Sequence, residues 1–300
     1  MSLCANCGKG EEASINLKSC AACMLVKYCS RDCQAAHRPQ HKKECKRRAA
    51  ELHDEKLFEQ PPPEDDCPIC MIRLPMLETG RTYMACCGKI ICNGCMYAVQ
   101  SRITKEEHDV CPFCRSRPPT SDEEMIKRYK KRMVLDDAAA IYNMGNYYSE
   151  GQCGLSQNKD KAFELWHRAG ELGSIGSALA YQNLSCVYGF GRGVDADEKK
   201  AKHYRESAAM LGSIHARHNL GIIESRAGKM DRALRHLMIA VKDGGLESLK
   251  IIKHFYSLGY AEKDDYAKAL RSYQSYLDEI KSDQRDEAAA FRDYYEYYER

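Results

Sequence analysis

The sequence predicts a mostly α-helical protein in which two small cysteine-rich fingers precede a solenoid of α-helical hairpins. Two observations support this fold class. Of the 17 cysteines, all except Cys153 and Cys186 lie before residue 115, where they form closely spaced pairs. After them, short segments that begin at Ala140, Ala180 and Ala216 recur at intervals of 40 and 36 residues, a period typical of helical repeat proteins.

The cysteine pairs have the spacing of zinc ligands. Zn²⁺ takes four thiolate or imidazole ligands in tetrahedral geometry, and two cysteines separated by two residues reach one ion from a single turn. Together with His41, the clustered cysteines make 16 candidate ligands, enough for about four ions. Since all four positions on each ion would be occupied by protein, the zinc is expected to be structural and the fingers to be zinc-stabilised.

The first finger is predicted over residues 1–48. Its candidate ligands form four pairs, the last two with the three-residue gap of one helix face: Cys4 and Cys7, Cys20 and Cys23, Cys29 and Cys33, His41 and Cys45. With Tyr28 before Cys29 and the segment His41-Lys42-Lys43-Glu44-Cys45, this pattern resembles the MYND zinc finger, a peptide-docking module. The resemblance implies interleaved pairs, one ion held by Cys4, Cys7, Cys29 and Cys33 and the other by Cys20, Cys23, His41 and Cys45. His37 remains an alternative to His41, because it lies four residues earlier.

The second finger is predicted over residues 67–117. Its candidate ligands are Cys67, Cys70, Cys86, Cys87, Cys92, Cys95, Cys111 and Cys114. Their order, the segments CPIC and CPFCR and a gap of 15 residues after the second ligand resemble a RING domain, a small α+β fold. Lys89 stands in place of the usual fourth-ligand histidine, but an all-cysteine variant, like that of the ubiquitin ligase in the Ccr–Not complex, places Cys directly before Gly, which fits Cys87-Gly88. Adjacent ligands on one ion are awkward in an extended chain, which leaves His108 as an alternative ligand.

The RING resemblance implies catalysis without a nucleophile. Such ligases hold a ubiquitin-loaded conjugating enzyme in a reactive conformation, so they act by positioning. Three residues match family contacts: Ile69 and Pro112 match positions that face the conjugating enzyme, and Arg115 matches the residue that hydrogen-bonds across to ubiquitin. From the residues alone, Ile69 is equally well explained as a core residue of a small domain, and Arg115 as a solvated charge.

Composition shifts mark the segments between these parts. Residues 49–66 are predicted to form a short helix followed by a proline-rich, acidic spacer that begins at Gln60. Behind the second finger, the segment Ser121-Asp122-Glu123-Glu124 is a capping box, which predicts a helix beginning near Asp122.

The hairpin solenoid is predicted over residues 121–282. Small residues suited to close helix contact lie in four successive units, at Ala162, Ala201, Ala233 and Ala269, and the period resembles the Sel-like subclass of tetratricopeptide repeat. Three units are regular, and a fourth, near Leu249, is degenerate. Tyrosines are candidates either for the concave groove or for packing between helices: Tyr142, Tyr147, Tyr148, Tyr181, Tyr188 and Tyr256. Trp166 is expected in the core. Residues 283–300 are predicted to be a capping helix or tail, whose tyrosine-rich tip at 294–298 is a candidate mobile contact motif.

Composition and charge limit the function classes. The formal net charge is only +3, so a broad nucleic-acid surface is not expected, and the single basic run, between Lys42 and Arg48, is best explained as a solvated helix end. No apolar stretch approaches the ~20 residues that span a bilayer. Many thiols without a preceding secretory segment favour the cytoplasm or the nucleus. The leading hypothesis is a RING-type ubiquitin-protein ligase or ligase-like adaptor with protein or peptide partners. A non-catalytic scaffold is the alternative, and a nucleic-acid-associated regulator a weaker one.

Overall fold

The structure is a computed structural model that describes residues 2–11, 16–61, 65–76, 78–102, 110–173 and 175–298. The chain divides into two compact units, Met1–Glu59 and Gln60–Arg300. Its described residues form twelve α-helices and four short β-strands, which confirms the mostly α-helical fold class. Among these residues, no helix combines the length and the apolar character that crossing a membrane requires.

The first unit is a small hairpin followed by one long helix. Strand β1 (Lys18–Ser19) pairs antiparallel with β2 (Lys27–Tyr28), and α1 spans Arg31–Leu57. The helix begins at Ser30, whose hydroxyl accepts a hydrogen bond from the Cys33 backbone N–H at 3.2 Å, as expected of an N-cap. The predicted boundary at residue 48 therefore falls inside α1. The ligand-bearing helix and the short helix predicted after it are one element.

The second finger is a β-hairpin followed by a helix. Strands β3 (Arg81–Met84) and β4 (Lys89–Cys92) pair antiparallel, with Arg81 opposite Cys92 and Met84 opposite Lys89, and α2 spans Asn93–Arg102. Its small core consists largely of cysteines, with Leu74 and Ile91 as the fully buried aliphatic side chains. A core of this size stabilises little by apolar burial alone, so the fold depends on the metal.

The solenoid begins with α3 (Asp122–Met133) and continues as four helical hairpins. Their helices are α4 (Ala138–Glu150) with α5 (Lys159–Glu171), α6 (Ile175–Phe190) with α7 (Glu198–Met210), α8 (Ile214–Arg226) with α9 (Met230–Lys242), and α10 (Leu246–Ser257) with α11 (Lys263–Ile280). The small residues predicted at close helix contacts are all fully buried: Ala162, Ala201, Ala233 and Ala269. The degenerate fourth unit forms a hairpin like the others.

Two predictions made from local sequence in the solenoid, the start of α3 and the core position of Trp166, are confirmed by the structure. The Ser121 hydroxyl accepts from the Glu124 N–H at 3.2 Å and α3 begins at Asp122, as predicted. Trp166 is buried, and its indole Nε1–H donates to Asn146 Oδ1 at 3.0 Å, which confirms its core position. The candidate groove tyrosines are half-buried except for Tyr256. Tyr181 and Tyr188, for example, stack on Tyr204 with ring centroids 5.8 and 5.6 Å apart, so they pack between helices.

The second finger packs against both ends of the solenoid. Near the first hairpin, the Tyr83 hydroxyl donates to Asp137 Oδ2 at 2.9 Å. Near the last hairpins, Arg73 Nη2 lies 2.7 Å from Asp243 Oδ1, and the Met76 N–H donates to the Tyr276 hydroxyl at 3.0 Å. The second finger and the solenoid therefore belong to one compact unit.

The C-terminal segment closes this unit. Helix α12 (Asp283–Phe291) packs against α2 of the second finger, and a short 3₁₀ turn follows over Asp293–Tyr295. Tyr297 is only 3% exposed, and the Thr79 hydroxyl donates to the Glu296 carbonyl at 2.7 Å. The tyrosine-rich tip is thus packed against the finger, which corrects the expectation of a mobile contact motif. The Tyr294 side chain lies outside the description.

Candidate metal centres

Four groups of ligand atoms are assembled in the two fingers. Within each group, the thiol sulfurs and, in one case, the histidine nitrogen all lie within 4.8 Å of one another. The groups are Cys4, Cys7, Cys29 and Cys33; Cys20, Cys23, His41 and Cys45; Cys67, Cys70, Cys92 and Cys95; and Cys86, Cys87, Cys111 and Cys114. The first two are the sets that the MYND resemblance implies, the last two consist of the eight candidate ligands of the second finger, and all four groups are capable of holding zinc ions.

The distances between sulfurs fit a tetrahedral zinc ion. Zn–S bonds of about 2.3 Å at tetrahedral angles place neighbouring sulfurs about 3.8 Å apart. One pair in each of three groups illustrates the fit: Cys20 to Cys45 at 3.8 Å, Cys70 to Cys92 at 3.8 Å, and Cys87 to Cys111 at 3.9 Å. All the cysteines are free thiols, and these separations are far beyond the ~2.05 Å of a disulfide. The donor set therefore fits zinc and not a disulfide framework.

Each ligand group contains one Cys-x2-Cys loop that ends in the same backbone conformation. The residue after the second cysteine has a left-handed φ: +70° at Gly8, +58° at Met24, +57° at Met71 and +60° at Arg115. Its N–H donates to the carbonyl of the first cysteine of the loop at 2.9 Å in all four cases. Side chains other than glycine pay about 1–2 kcal/mol for this conformation. Three of the four loops thus hold a strained residue, and the strain persists because two ligands must point at one ion.

His41, rather than His37, completes the second group of the first finger. His41 Nε2 lies 3.2 Å from Cys23 Sγ. His37 stacks on the His41 ring with centroids 5.7 Å apart, and its Nδ1 lies 3.0 Å from the Tyr28 hydroxyl. The two histidines lie one helical turn apart on the same side of α1, but His37 is paired with the Tyr28 hydroxyl and only His41 belongs to the ligand group. His37 supports the other ring from the side.

The adjacent cysteines of the second finger share one group because the chain turns there. Cys86 and Cys87 lie between β3 and β4, where the Cys87 and Gly88 N–H groups both donate to the Met84 carbonyl, at 3.1 and 2.7 Å. Gly88 has a φ of +71°. Two neighbouring side chains diverge along an extended strand, but this tight turn lets both face the same point. His108, the alternative ligand, lies outside the described residues.

The electrostatics of the thiols suit metal binding. Backbone N–H groups of Cys7 and Cys29 lower the pKa of Cys4 to about 6. Hydrogen bonds from the thiols of Cys70, Cys92 and Cys95 lower the pKa of Cys67 well below its usual value. A thiolate is the form that binds zinc. The groups of Cys4 and Cys67 therefore each favour an ionised sulfur before the metal supplies the rest of the driving force.

The residues that match RING contacts lie at the surface. Ile69 is 40% exposed, so it is not a core residue, and Arg115 is exposed as well. Pro112 is half-buried. The structure adds two exposed apolar residues that the sequence analysis missed, Met71 and Phe113, each next to a zinc-binding cysteine. Met71 directly follows one Cys-x2-Cys loop and Phe113 lies within another, which was the signal available in the sequence.

A groove also lies along the solenoid. It has a volume of about 470 Å³ and runs beside α6, α7 and α8. Its lining mixes apolar, amide and arginine side chains, among them Phe190, Ile223, Gln182, Asn219, Arg205 and Arg226. Phe190 is 71% exposed. Because most of these side chains come from the first helices of two hairpins, the groove lies on the face where solenoids present their side chains.

Comparison with known protein families identifies two of the three parts. Residues 4–45 match the MYND finger, and residues 138–174 and 178–213 match the Sel1 repeat. The chain contains a MYND finger and Sel1 repeats. No curated protein matches the chain. Both matched parts are protein-interaction modules, so the chain is a zinc-binding protein with protein partners.

Two solved structures are similar to the chain. A Sel1 repeat protein from Oxalobacter formigenes is 25% identical with a TM-score of 0.44, covering 52% of this chain and 64% of its own. A protective antigen with an SLR fold, present in uropathogenic Escherichia coli strains, is 19% identical with a TM-score of 0.39, covering 68% of this chain and 44% of its own.

Proposed function

We propose that the chain is a RING-type ubiquitin-protein ligase whose second finger docks a conjugating enzyme. One observation carries the proposal: the family contact positions Ile69 and Arg115 are exposed, whereas Arg73, Tyr83 and Tyr97 of the same finger pack against the solenoid or the C-terminal segment. The finger is thus anchored through other residues, and its contact positions are left accessible.

The proposed mechanism is positioning. Ile69 and Pro112 would contribute apolar surface to the contact with the conjugating enzyme, and the exposed Met71 and Phe113 would extend it. Arg115 would donate charge-assisted hydrogen bonds to ubiquitin and hold the thioester in a reactive orientation. The 16 clustered side chains would be the ligands of four structural zinc ions, which supply rigidity and no chemistry of their own.

The remaining modules would select the substrate. The MYND finger exposes Leu3, Met24 and Leu25, an apolar set suited to a docked peptide. The solenoid groove pairs exposed apolar side chains with Arg226 and with Arg205, which is partly neutralised by Glu198 at 3.6 Å. A peptide with an apolar side chain and a carboxylate is the chemistry that fits this groove. Both the cytoplasm and the nucleus suit this function.

The test is discharge of a ubiquitin-loaded conjugating enzyme, measured over a broad enzyme panel with the zinc-loaded full chain. Ile69→Ala should lose enzyme binding, and Arg115→Ala should keep binding and lose discharge, while both keep their zinc. Arg117→Ala is the matched control, because Arg117 is also exposed and lies two residues beyond the contact position. It should discharge at the wild-type rate.

A wild-type chain that accelerates discharge from no enzyme in the panel would make the protein a non-catalytic scaffold built from the same modules. The basic run in α1 gives little support to a nucleic-acid regulator. Arg47 pairs with Glu44 and Glu51, and Arg48 pairs with Glu51 and Glu55. Salt-sensitive binding to DNA or RNA would be needed to support the hypothesis of a nucleic-acid-associated regulator.

A further inference from the structure

The C-terminal helix places a buried arginine beside a zinc site. Arg285 of α12 is 1% exposed. Its Nη1 donates to the carbonyls of Arg73 at 2.8 Å and Ile280 at 2.6 Å, and its Nη2 donates to the carbonyl of Ile72 at 3.2 Å. Ile72 and Arg73 follow directly after the first Cys-x2-Cys loop of the second finger. The guanidinium thus reaches from the end of the chain to the backbone beside the ligands.

The polar contacts of this buried charge are to carbonyl oxygens and to a sulfur. Among the described residues, no Asp or Glu oxygen lies within ion-pair distance of Arg285. A charge taken out of water is costly unless an opposite charge balances it. Carbonyl oxygens accept hydrogen bonds from Nη1 and Nη2 but carry only partial charge, and the buried Nε–H has no hydrogen-bond partner in the described part of the chain. Nη2 also lies 3.9 Å from the Cys70 sulfur.

A zinc ion with four thiolates carries a net charge of −2, since four negative sulfurs exceed the two charges of Zn²⁺. We propose that Arg285 is a positioning residue of the Cys67, Cys70, Cys92 and Cys95 zinc site, where its guanidinium offsets half of the surplus negative charge and slows loss of the metal. The zinc site then supplies the negative charge that Arg285 otherwise lacks, and Arg285 lowers the surplus charge of the site from −2 to −1. This role is independent of any ligase activity.

Two neighbouring residues, Gly94 and Gln284, are consistent with a close contact between α12 and the zinc site. The position of Gly94 in α2 leaves no room for a side chain, because a Cβ there would lie 2.8 Å from Arg285 Cγ. Gln284, the preceding residue, brings its side-chain amide 3.7 Å from Cys95 Sγ. With zinc bound, Cys95 is a thiolate, and the amide nitrogen can face it after a flip of the amide. Outer groups that orient or charge-balance metal ligands commonly affect metal affinity by ~10–100-fold.

Arg132 lies beside the other zinc site of the second finger and differs from Arg285 in having a carboxylate partner. Arg132 lies next to Gly88, which follows Cys87. However, its guanidinium already pairs with Asp137 Oδ2 at 2.9 Å. Its charge is balanced by a carboxylate, so it is not assigned a similar role. The proposal therefore concerns one of the four zinc sites.

The test measures zinc release from the full chain into an excess of chromophoric chelator. Arg285→Met removes the charge and keeps much of the volume, whereas Arg285→Lys keeps the charge and loses the forked geometry. Arg168→Met is the matched control, because Arg168 also donates to a backbone carbonyl, that of Met133 at 2.8 Å, and pairs with Asp136. Alkylation of the released thiols, located by mass spectrometry, identifies which site has opened.

Arg285→Met should release one zinc ion about 10–100 times faster than the wild type, with alkylation appearing first at the Cys67, Cys70, Cys92 and Cys95 group. Arg285→Lys should stay close to the wild-type rate, and Arg168→Met should match it. Unchanged release from Arg285→Met would overturn the proposal. Equal acceleration in the methionine and lysine variants would overturn it too, because it would show that packing and not charge retains the metal. If the methionine variant does not fold, the lysine variant decides: wild-type release supports the charge role, and release accelerated tenfold or more rejects it.

Discussion

Replacing Gly94 with alanine should loosen the C-terminal helix from the second finger. A Cβ atom at Gly94 would lie 2.8 Å from Arg285 Cγ, 2.9 Å from its backbone nitrogen and 3.0 Å from its Cα, whereas ordinary contacts of a Cβ lie between 3.4 and 4 Å. Two of these three atoms belong to the backbone. Rotation of the Arg285 side chain therefore cannot relieve the overlap, and α12 itself has to move.

The expected cost follows from three effects. Forcing an extra methyl group into a packed contact costs about 1–3 kcal/mol. Displacing α12 also weakens the hydrogen bonds from Arg285 to the carbonyls of Ile72 and Arg73, at about 1 kcal/mol each. Alanine gains back about 1 kcal/mol over glycine in a helix. The net destabilisation is about 2–4 kcal/mol, and each kcal/mol corresponds to roughly 2–4 °C in melting temperature for a unit of this size.

Thermal unfolding of the zinc-loaded chain, followed by circular dichroism, measures this effect. Gly189→Ala is the control, because Gly189 lies in helix α6 and a Cβ there would find its nearest neighbour, Ala201 Cβ, at an ordinary 3.6 Å. That variant should be neutral or more stable by up to about 1 kcal/mol. If Gly94→Ala melts with the wild type, or if Gly189→Ala falls by the same amount, the inferred contact between α12 and α2 does not stabilise the fold.

Elemental analysis of protein purified without chelator should give close to four zinc ions per chain, one for each ligand group, and a content near two would remove one finger's assignment. Arg115→Gly should relieve the left-handed backbone strain, worth about 1 kcal/mol, so it should retain zinc better than Arg115→Ala in chelator competition while still losing ubiquitin discharge; equal retention would contradict the strain. Asp137→Ala should lower the free energy of unfolding in urea by about 2–3 kcal/mol, because Asp137 caps α4 and accepts hydrogen bonds from Tyr83 and Arg132. A loss below about 0.5 kcal/mol would show that these bonds are replaced by water.

The ligand groups could be predicted from the sequence because metal-ligand spacing is a local constraint. Cys20 and Cys23 must share an ion, since two residues between them leave the sulfurs within reach of one point. The partners in the second half of each group came from the family resemblance. The structure brings the same sets together. The hairpins were predictable for a similar reason, because each repeat carries its own small residue at the helix contact, as at Ala162 and Ala201.

The contacts between the second finger and the solenoid could not be predicted in this way. Arg285 follows Asp283 and Gln284 in the first turn of an ordinary polar helix, and its partners Cys70 and Ile72 lie more than 200 residues earlier. Nothing in the local pattern distinguishes a buried arginine from a solvated one. Each repeat unit could be predicted from its own sequence. The surface on which the second finger packs is formed only when several units are stacked, so no single repeat predicts it.

The second finger and the solenoid belong to one compact unit, which would affect how the proposed ligase transfers ubiquitin to a substrate. A substrate held in the solenoid groove and a conjugating enzyme on the second finger would be related by a fixed geometry and not by a flexible linker, so their effective concentration depends on how firmly the finger is held. Gly94→Ala loosens α12 at a position distinct from Ile69 and Arg115, and should leave zinc-loaded discharge to free lysine largely intact. Transfer to a groove-bound substrate should fall further than discharge, because only that step needs the fixed geometry. Equal loss in both assays would mean that the variant damages the docking face itself, and equal retention that the finger and the solenoid act independently.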